Sequence, residues 1–383
     1  MRVSCLQENL SKGLGIVGRA VATRTTLPIT NHVLISTEDS RLKLSATNLE
    51  VAISCWIGAQ IEEEGEIAVP AGLLTDFVVS LPSDTISMSV ATGEQLMEIQ
   101  CGKSEAHVSG QKAEEFPPIP KIGKGINTKV EAGILANAIR QVVFAAATDD
   151  SRPVLTGAYA LFSEKKLTLV AADGFRLAVY ELALTTAVKE EVGIIIPSRS
   201  LRELERLLKD QQEPVEITIN TQKSQILFRL KNKEPKKDIE LVSQLIQGTF
   251  PDYNQLIPKS HNTRATIDVQ AFLRVVRSAS VFARDGSGIV RLVMVPKGKS
   301  SPSKIEVSAR AEEIGDNETI IEAEIEGEEA KIAFNSKYLM DVFSVLEGQK
   351  VLLEVETPSS PGVFRAVEEE SWIQVVMPMF VQW

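Results

Sequence analysis

Few residues of this chain are arranged for chemistry. Gly13-Leu-Gly-Ile-Val-Gly18 has the GxGxxG spacing with which a dinucleotide fold cradles a pyrophosphate, and Glu38 follows at a distance suited to a ribose contact. A phosphate cradle needs its glycines at a strand-to-helix turn. Here Leu10, Leu14, Val17 and Val21 run through the motif at helical spacing, so the glycines fall inside an amphipathic helix, and no long parallel βαβ unit follows. His32, His107 and His261 lie far apart in sequence with no Cys or Ser partner at a telling spacing, which fits structural histidines better than catalytic ones. Asp149-Asp150 follows the helical end Ala145-Ala-Ala147 and reads as a loop or cap before a metal site. We expect no enzyme, no cofactor and no metal; a dinucleotide-dependent enzyme remains the competing hypothesis.

The basic residues carry more information. Arg199, Arg202, Arg206 and Lys209 fall at i, i+3, i+7 and i+10, which puts them on one face of a helix. Arg274, Arg277 and Arg284 form a similar stripe, and Lys12 and Arg19 a sparser one. A single stripe of this kind is usually a solvated face, but three of them raise the prospect of a shared surface for anions. No aromatic residues interleave with the charges, which disfavours stacking on single-stranded bases. A nucleic-acid partner would therefore be held by its phosphates, independently of sequence.

These stripes need elements to carry them, and the chain supplies them three times. With 383 residues it is too long for one core, and 44% hydrophobic against 5% aromatic residues implies cores that are mainly aliphatic. Leu10, Leu135 and Phe272 open first helices; Asn48, Asp173 and Arg310 mark hairpin turns; Pro70, Pro197 and Asn335 precede second helices. Their successive spacings are 125 and 137, 125 and 137, and 127 and 138. Three landmarks in step make a threefold repeat, with domains at 1–126, 127–256 and 257–383. Strands outnumber helices in each, so the expected fold class is α+β, three repeated sheet-rich domains with helices segregated to one side. Second helices are predicted over Leu73 to Leu81, Leu201 to Leu208 and Tyr338 to Leu346.

The net charge of −10 divides as −5, 0 and −5 over the three domains, which argues against wholesale wrapping of nucleic acid. No run approaches the roughly 18 apolar residues of a membrane span. Met1 to Leu10 lacks an apolar leader core and a cleavage pattern, and Cys5, Cys55 and Cys101 are odd in number and widely spaced. A cytoplasmic protein without disulfides is expected, with no membrane partner.

The middle repeat holds the most distinctive hairpin. Leu167, Leu169 and Ala171 alternate as a half-buried strand, Asp173-Gly174 supplies the turn, and Phe175 to Tyr180 alternates again. The turns at Asn48 and Arg310 lack its Gly-Phe-Arg-Leu tip. Function should concentrate at what repeat two does not share.

Thr26-Leu-Pro-Ile29, Asp150-Ser-Arg152, Ala171 to Leu177, Phe250-Pro-Asp-Tyr253, Phe334 to Tyr338 and Val376-Met-Pro-Met379 span nearly the whole chain. In this order and on a threefold repeat, they resemble the bacterial DNA sliding clamps, the beta subunits of DNA polymerase III. The resemblance implies a head-to-tail homodimer closed into a six-domain ring, with sheets outside and helices lining a hole for double-stranded DNA. It implies a processivity factor that slides without catalysing anything. Its partners would be the replicative polymerase subunit, the clamp loader and other clamp-binding peptides.

From the resemblance, Arg24, Arg199, Arg202, Arg277 and Arg284 would face DNA; Gly72 and Leu73 stand where some relatives carry basic residues. The partner-peptide cleft would use Leu155, Ala172, Gly174, Phe175, Arg176, Leu177, Pro251, Leu256, Asn335, Tyr338, Val375, Met377, Pro378 and Met379. Two methionines among aliphatics suit an adaptable groove for many short peptides. Phe175 occupies a position where relatives often have a smaller polar ring, and the apolar residues of Phe380-Val-Gln-Trp383 would narrow or extend the cleft. The dimer seam would set Ala106, His107 and Val108 of one subunit against Val281 and Phe282 of the other. A dimeric scaffold without any DNA role is the third hypothesis.

Overall fold

Hydrophobic alternation along most of the chain is realised as antiparallel sheet, interrupted by six α-helices among the described residues. The computed structural model describes residues 1–383 apart from 23–25, 92, 233–236, 284–287, 299–300, 312–314, 347–349 and 368–370. The helices are α1 (Gln7–Val17), α2 (Ala71–Ser80), α3 (Ala132–Val143), α4 (Ser198–Leu208), α5 (Val269–Ala283) and α6 (Ser336–Val345). Two fall in each repeat, in the expected order.

The strands do not respect the repeats. One compact unit contains Met1–Ala136, Leu184–Glu191 and Arg199–Ile246; the other contains Asn137–Ala183, Val192–Ser198 and Gln247–Trp383. In the first, a five-stranded sheet ends on Ser104–Ser109, and an eight-stranded sheet joins two repeats. The joint is the antiparallel pair Lys237–Gln244 and Val51–Ile57, with Leu241 opposite Ile53. In the second unit, a nine-stranded sheet is joined in the same manner by Arg176–Ala183 and Trp372–Val376, with Leu177 opposite Val375. Its four-stranded sheet ends on Gly315–Glu322 and Ala330–Asn335. Both joints set buried aliphatic residues against each other, so merging the sheets removes edges and apolar surface together.

Helices seal the inner faces of the sheets. Leu10 and Leu14 of α1 are essentially fully buried. Gly13 belongs to this packing: a Cβ there would lie 2.7 Å from Leu44 Cδ1. The GxGxxG spacing thus records a close helix–sheet approach in mid-helix and forms no phosphate cradle. Phe272 of α5 packs on Phe343 of α6 at 4.6 Å between centroids, and Phe343 meets Phe364 edge-on at 5.5 Å.

Several expectations shift in detail. The second helices begin two or three residues before Leu73, Leu201 and Tyr338, because the opening residues Ala71-Gly72, Ser198-Arg-Ser200 and Ser336-Lys337 include no large apolar side chain to mark them. Arg310 is no turn residue: it pairs with Asp316 inside a ladder, and Ala311 with Gly315 closes it. Its repeat-two counterpart Asp173 does sit in the turn, between strands Lys166–Ala172 and Arg176–Ala183. The helical end drawn at Ala147 lies at Val143, and Asp149 accepts from the backbone N–H and hydroxyl of Ser151 in the following loop.

Candidate functional site

The hairpin tip is an Asx turn. Asp173 Oδ1 accepts from the backbone N–H of Phe175 at 2.9 Å and of Arg176 at 3.0 Å, which turns the chain within two residues. Gly174 has φ +93°, and a Cβ on it would lie 2.7 Å from Arg152 Nη1. Arg152 Nη2 donates to the Asp173 carbonyl at 2.8 Å. Glycine here supplies both the backbone conformation and the space for that guanidinium.

Arg176 lies beneath the tip, its side chain 9% exposed. It donates to Asp173 Oδ2 at 2.9 Å, to Asp341 Oδ2 at 2.5 Å and to the Phe144 carbonyl at 2.9 Å. Its guanidinium also lies 4.8 Å from the Tyr338 ring centroid and 5.3 Å from that of Phe144. Arg176 therefore ties the turn to α6 and does not present a free cation. Asp341, one turn beyond Tyr338, is the partner that sequence reasoning missed; only the three-dimensional register of α6 identifies it.

Next to this tie is an apolar patch. Val170, Ala172, Leu177, Val179, Val363 and Val375 form its buried floor. Tyr159, Phe250, Tyr253, Ile257 and Ile373 pack half-buried against them, with Tyr159 and Phe250 stacked at 5.4 Å. Of the expected cleft residues, Leu155, Ala172, Leu177 and Val375 are buried, so they support the surface from below. Phe175, Leu256 and Met377 are exposed large apolar residues, and Pro251 is also exposed. Phe175 stacks on Tyr338 with centroids 6.2 Å apart. Asn335 caps α6 by accepting from the Lys337 N–H at 2.9 Å, which fixes the orientation of the helix that bears Tyr338.

The Met377-Pro378-Met379 segment is anchored at both ends. Met377 N–H donates to the Phe175 carbonyl at 2.8 Å, and Met379 N–H to the Ala333 carbonyl at 2.7 Å. Beyond it Phe380 is 87% and Trp383 51% exposed, so the tail widens the apolar surface. Tyr159, Tyr253, Ile257 and Ile373 were not foreseen, because strand alternation does not say which outward face becomes half-covered. Burial raises the Tyr338 phenol, with the Asp173 charge adding to it, and burial followed by Glu181 raises Tyr253. Both stay protonated at neutral pH and can donate to a peptide carbonyl.

The basic stripes are real surface features. Arg199, Arg202, Arg206 and Lys209 are exposed along and just beyond α4, as are Arg274 and Arg277 on α5 and Lys12 and Arg19 on or just after α1. Arg206 pairs with Glu203 at 2.8 Å, and Arg19 reaches the same carboxylate at 3.8 Å. Among the described residues, Arg199, Arg202, Arg274 and Arg277 have no carboxylate within ion-pair distance. Arg24 and Arg284 lie outside the described residues. No described group of three or more His, Cys, Asp or Glu could hold a metal ion.

Three sheet-and-helix repeats, bare guanidinium groups on helix faces and a peptide-sized apolar surface define a ring-forming DNA clamp as the class. Residues 1–120, 129–252 and 254–380 match the N-terminal, central and C-terminal domains of the DNA polymerase III beta subunit. The chain is 31% identical to the beta sliding clamp of Bacillus subtilis and 29% to that of Synechocystis, over 99% of each chain. The crystal structure of the Bacillus subtilis DNA polymerase sliding clamp matches 100% of both chains with a TM-score of 0.92 at 31% identity. That of the DNA polymerase III subunit beta from Pseudomonas aeruginosa gives 0.89 at 27% identity, again over 100% of both. This chain belongs to the DNA polymerase III beta subunit family, the bacterial beta sliding clamps.

Proposed function

We propose that this protein is a DNA polymerase processivity factor: a ring-shaped homodimer that encircles duplex DNA, slides along it and tethers polymerase and other replication or repair proteins. It acts in the cytoplasm and catalyses nothing itself. No helix among the described residues is long and apolar enough to cross a membrane. Its domains are 1–126, 127–256 and 257–383, in keeping with the three family matches.

The observation that carries this function is the pattern of sheet joints. In repeats one and two, the third strand of the second sheet (Val51–Ile57, Arg176–Ala183) pairs with the last strand of the next repeat's first sheet (Lys237–Gln244, Trp372–Val376). The same rule applied to repeat three calls for Gly315–Glu322 to pair with Ser104–Ser109. Both are edge strands, each paired on one side only. A second copy satisfies the rule twice, head to tail, and the interface closes a ring. α5 packs against Gly315–Glu322, so Val281, which is 58% exposed, and Phe282 belong to the same seam as Ala106, His107 and Val108.

Arg199, Arg202 and Arg277 supply the DNA-facing charge, with Arg24 and Arg284 assigned to the same role by the family motif. Unpaired guanidinium groups attract phosphates diffusely and permit sliding, whereas base-edge hydrogen bonds would arrest it. The apolar patch beside Phe175, Tyr338 and Met377 is the peptide site for polymerase, clamp loader and other partners.

The test is retention on DNA. A clamp loaded on a closed circle stays in salt that abolishes ordinary phosphate contacts and is lost when the circle is cut. Equal retention on linear and circular DNA would sink the proposal. Charge reversal at Arg202 and Arg277 should impair loading; a scaffold without a DNA role would be indifferent to it.

A further inference from the structure

The two joints inside the chain differ in charge from the pair of edges left open. At the first joint the outward carboxylates are compensated: Asp238 meets Arg41 at 2.6 Å and Glu240 meets Arg229 at 2.7 Å. At the second, Arg176 is neutralised by Asp173 and Asp341. The open edges are different. On Ser104–Ser109 the outward residues are Glu105, His107 and Ser109, and Glu98 of the neighbouring strand is directly opposite His107. On Gly315–Glu322 they are Asp316, Glu318, Ile320 and Glu322. None of those three carboxylates has an ion-pair partner among the described residues, although Arg310 and Lys304 stand opposite Asp316 and Glu322 in the adjoining strand.

Pairing these edges brings the outward faces side by side, because Ala106 and Val108 on one strand and Asn317, Thr319 and Ile321 on the other turn inward. Cross-strand neighbours approach to about 5 Å, and like charges there oppose pairing. His107 is the sole potential cation on either edge strand. Its Nε2 lies 3.7 Å from Glu105 and 3.9 Å from Glu98.

We propose that ring closure is governed by an acid-on-acid seam, in which His107 is the switch: the ring tightens when His107 is protonated and when salt screens the facing carboxylates. This rests on the head-to-tail ring above and concerns its regulation. The charged groups around His107 in its own sheet are Glu98 and Glu105; the partner copy's edge strand brings Asp316, Glu318 and Glu322, with Arg310 and Lys304 one strand further back. On the two edge strands themselves every charged group other than His107 is a carboxylate, so a proton on the imidazole is stabilised by closure, and closure is strengthened by the proton. Affinity therefore rises with protonation of His107, that is, towards lower pH. Salt acts in the opposite sense to that for a seam of complementary ion pairs. Each effect counts twice, because a head-to-tail dimer contains two equivalent seams.

The experiment is sedimentation velocity on the full chain across a dilution series. We expect the dimer dissociation constant to fall about tenfold or more between about pH 8 and about pH 6, two seams each contributing a few-fold. At about pH 8, raising salt from about 50 mM to about 500 mM should lower it further. His107→Gln should abolish the pH response, and Glu318→Gln should tighten the ring at about pH 8. A dimer whose dissociation constant ignores pH and weakens with salt overturns the seam while leaving the ring intact. A chain that stays monomeric under every condition overturns the ring as well.

Discussion

The hairpin tips of repeats one and two share a backbone and differ in what it carries. In repeat one, Asn48 Oδ1 accepts from the N–H groups of Glu50 at 3.0 Å and Val51 at 2.9 Å. In repeat two, Asp173 does the same for Phe175 and Arg176. The next residue has positive φ in both, +76° at Leu49 and +93° at Gly174. Repeat one thus accepts a strained, 54% exposed leucine, where repeat two has the glycine that makes room for Arg152. Then Val51 begins an ordinary buried strand, while Arg176 becomes a tie to α6. The turn is scaffold; specialisation lies in three side-chain changes on it.

Removing the tie should break that difference most severely. Arg176→Met leaves Asp173 and Asp341 facing each other without a cation and the Phe144 carbonyl without its donor; loss of such a buried partner costs about 3–5 kcal/mol. Urea unfolding would show it, and a loss below about 1 kcal/mol would mean that the tie is ornamental. Leu177→Ala should cost about 2–4 kcal/mol, because Leu177 is 2% exposed in the floor of the patch. Any loss of peptide binding by that variant would mix stability with recognition.

Smaller effects sharpen the comparison. Gly174→Ala imposes a side chain on positive φ and displaces Arg152, for about 1–2 kcal/mol. Leu49→Gly should change stability by less than about 1 kcal/mol, since relief of strain is offset by a freer unfolded chain. Equal responses at the two positions would show that the tips are energetically interchangeable. Phe175→Ala should cost only about 0.5–1 kcal/mol from its stack on Tyr338, yet weaken partner peptides tenfold or more in a fluorescence-anisotropy titration. That makes it a cleaner probe of recognition than Leu177→Ala.

The repeat, its helices and their basic stripes were legible in the sequence because each depends on local periodicity. Arg199, Arg202, Arg206 and Lys209 have to share a face once the helix forms. Arg310 was misplaced because alternation marks a strand without marking where its ladder ends. The patch was legible in part: Phe250 and Tyr253 stood in a recognisable motif, but their contact with Tyr159 and Ile373 joins residues far apart in the sequence. Asp341 was invisible for the same reason. The shared sheets were hidden too, since nothing local in Lys237–Gln244 says that its neighbour is Val51–Ile57.

Those shared sheets have a consequence for how such a chain unfolds and how it can be recombined. The stretch duplicated in the sequence is not the stretch that packs as a unit. Residues 127–256 contribute strands to both the eight- and the nine-stranded sheet. Excised alone, they would expose the apolar edges Lys237–Gln244 and Arg176–Ala183 and invite aggregation. The sequence repeats three times, but the chain packs as two compact units, whose division falls inside the middle repeat. Swapping whole repeats between related chains would therefore cut through sheets, whereas exchanging tips such as Gly174-Phe175 leaves every ladder whole.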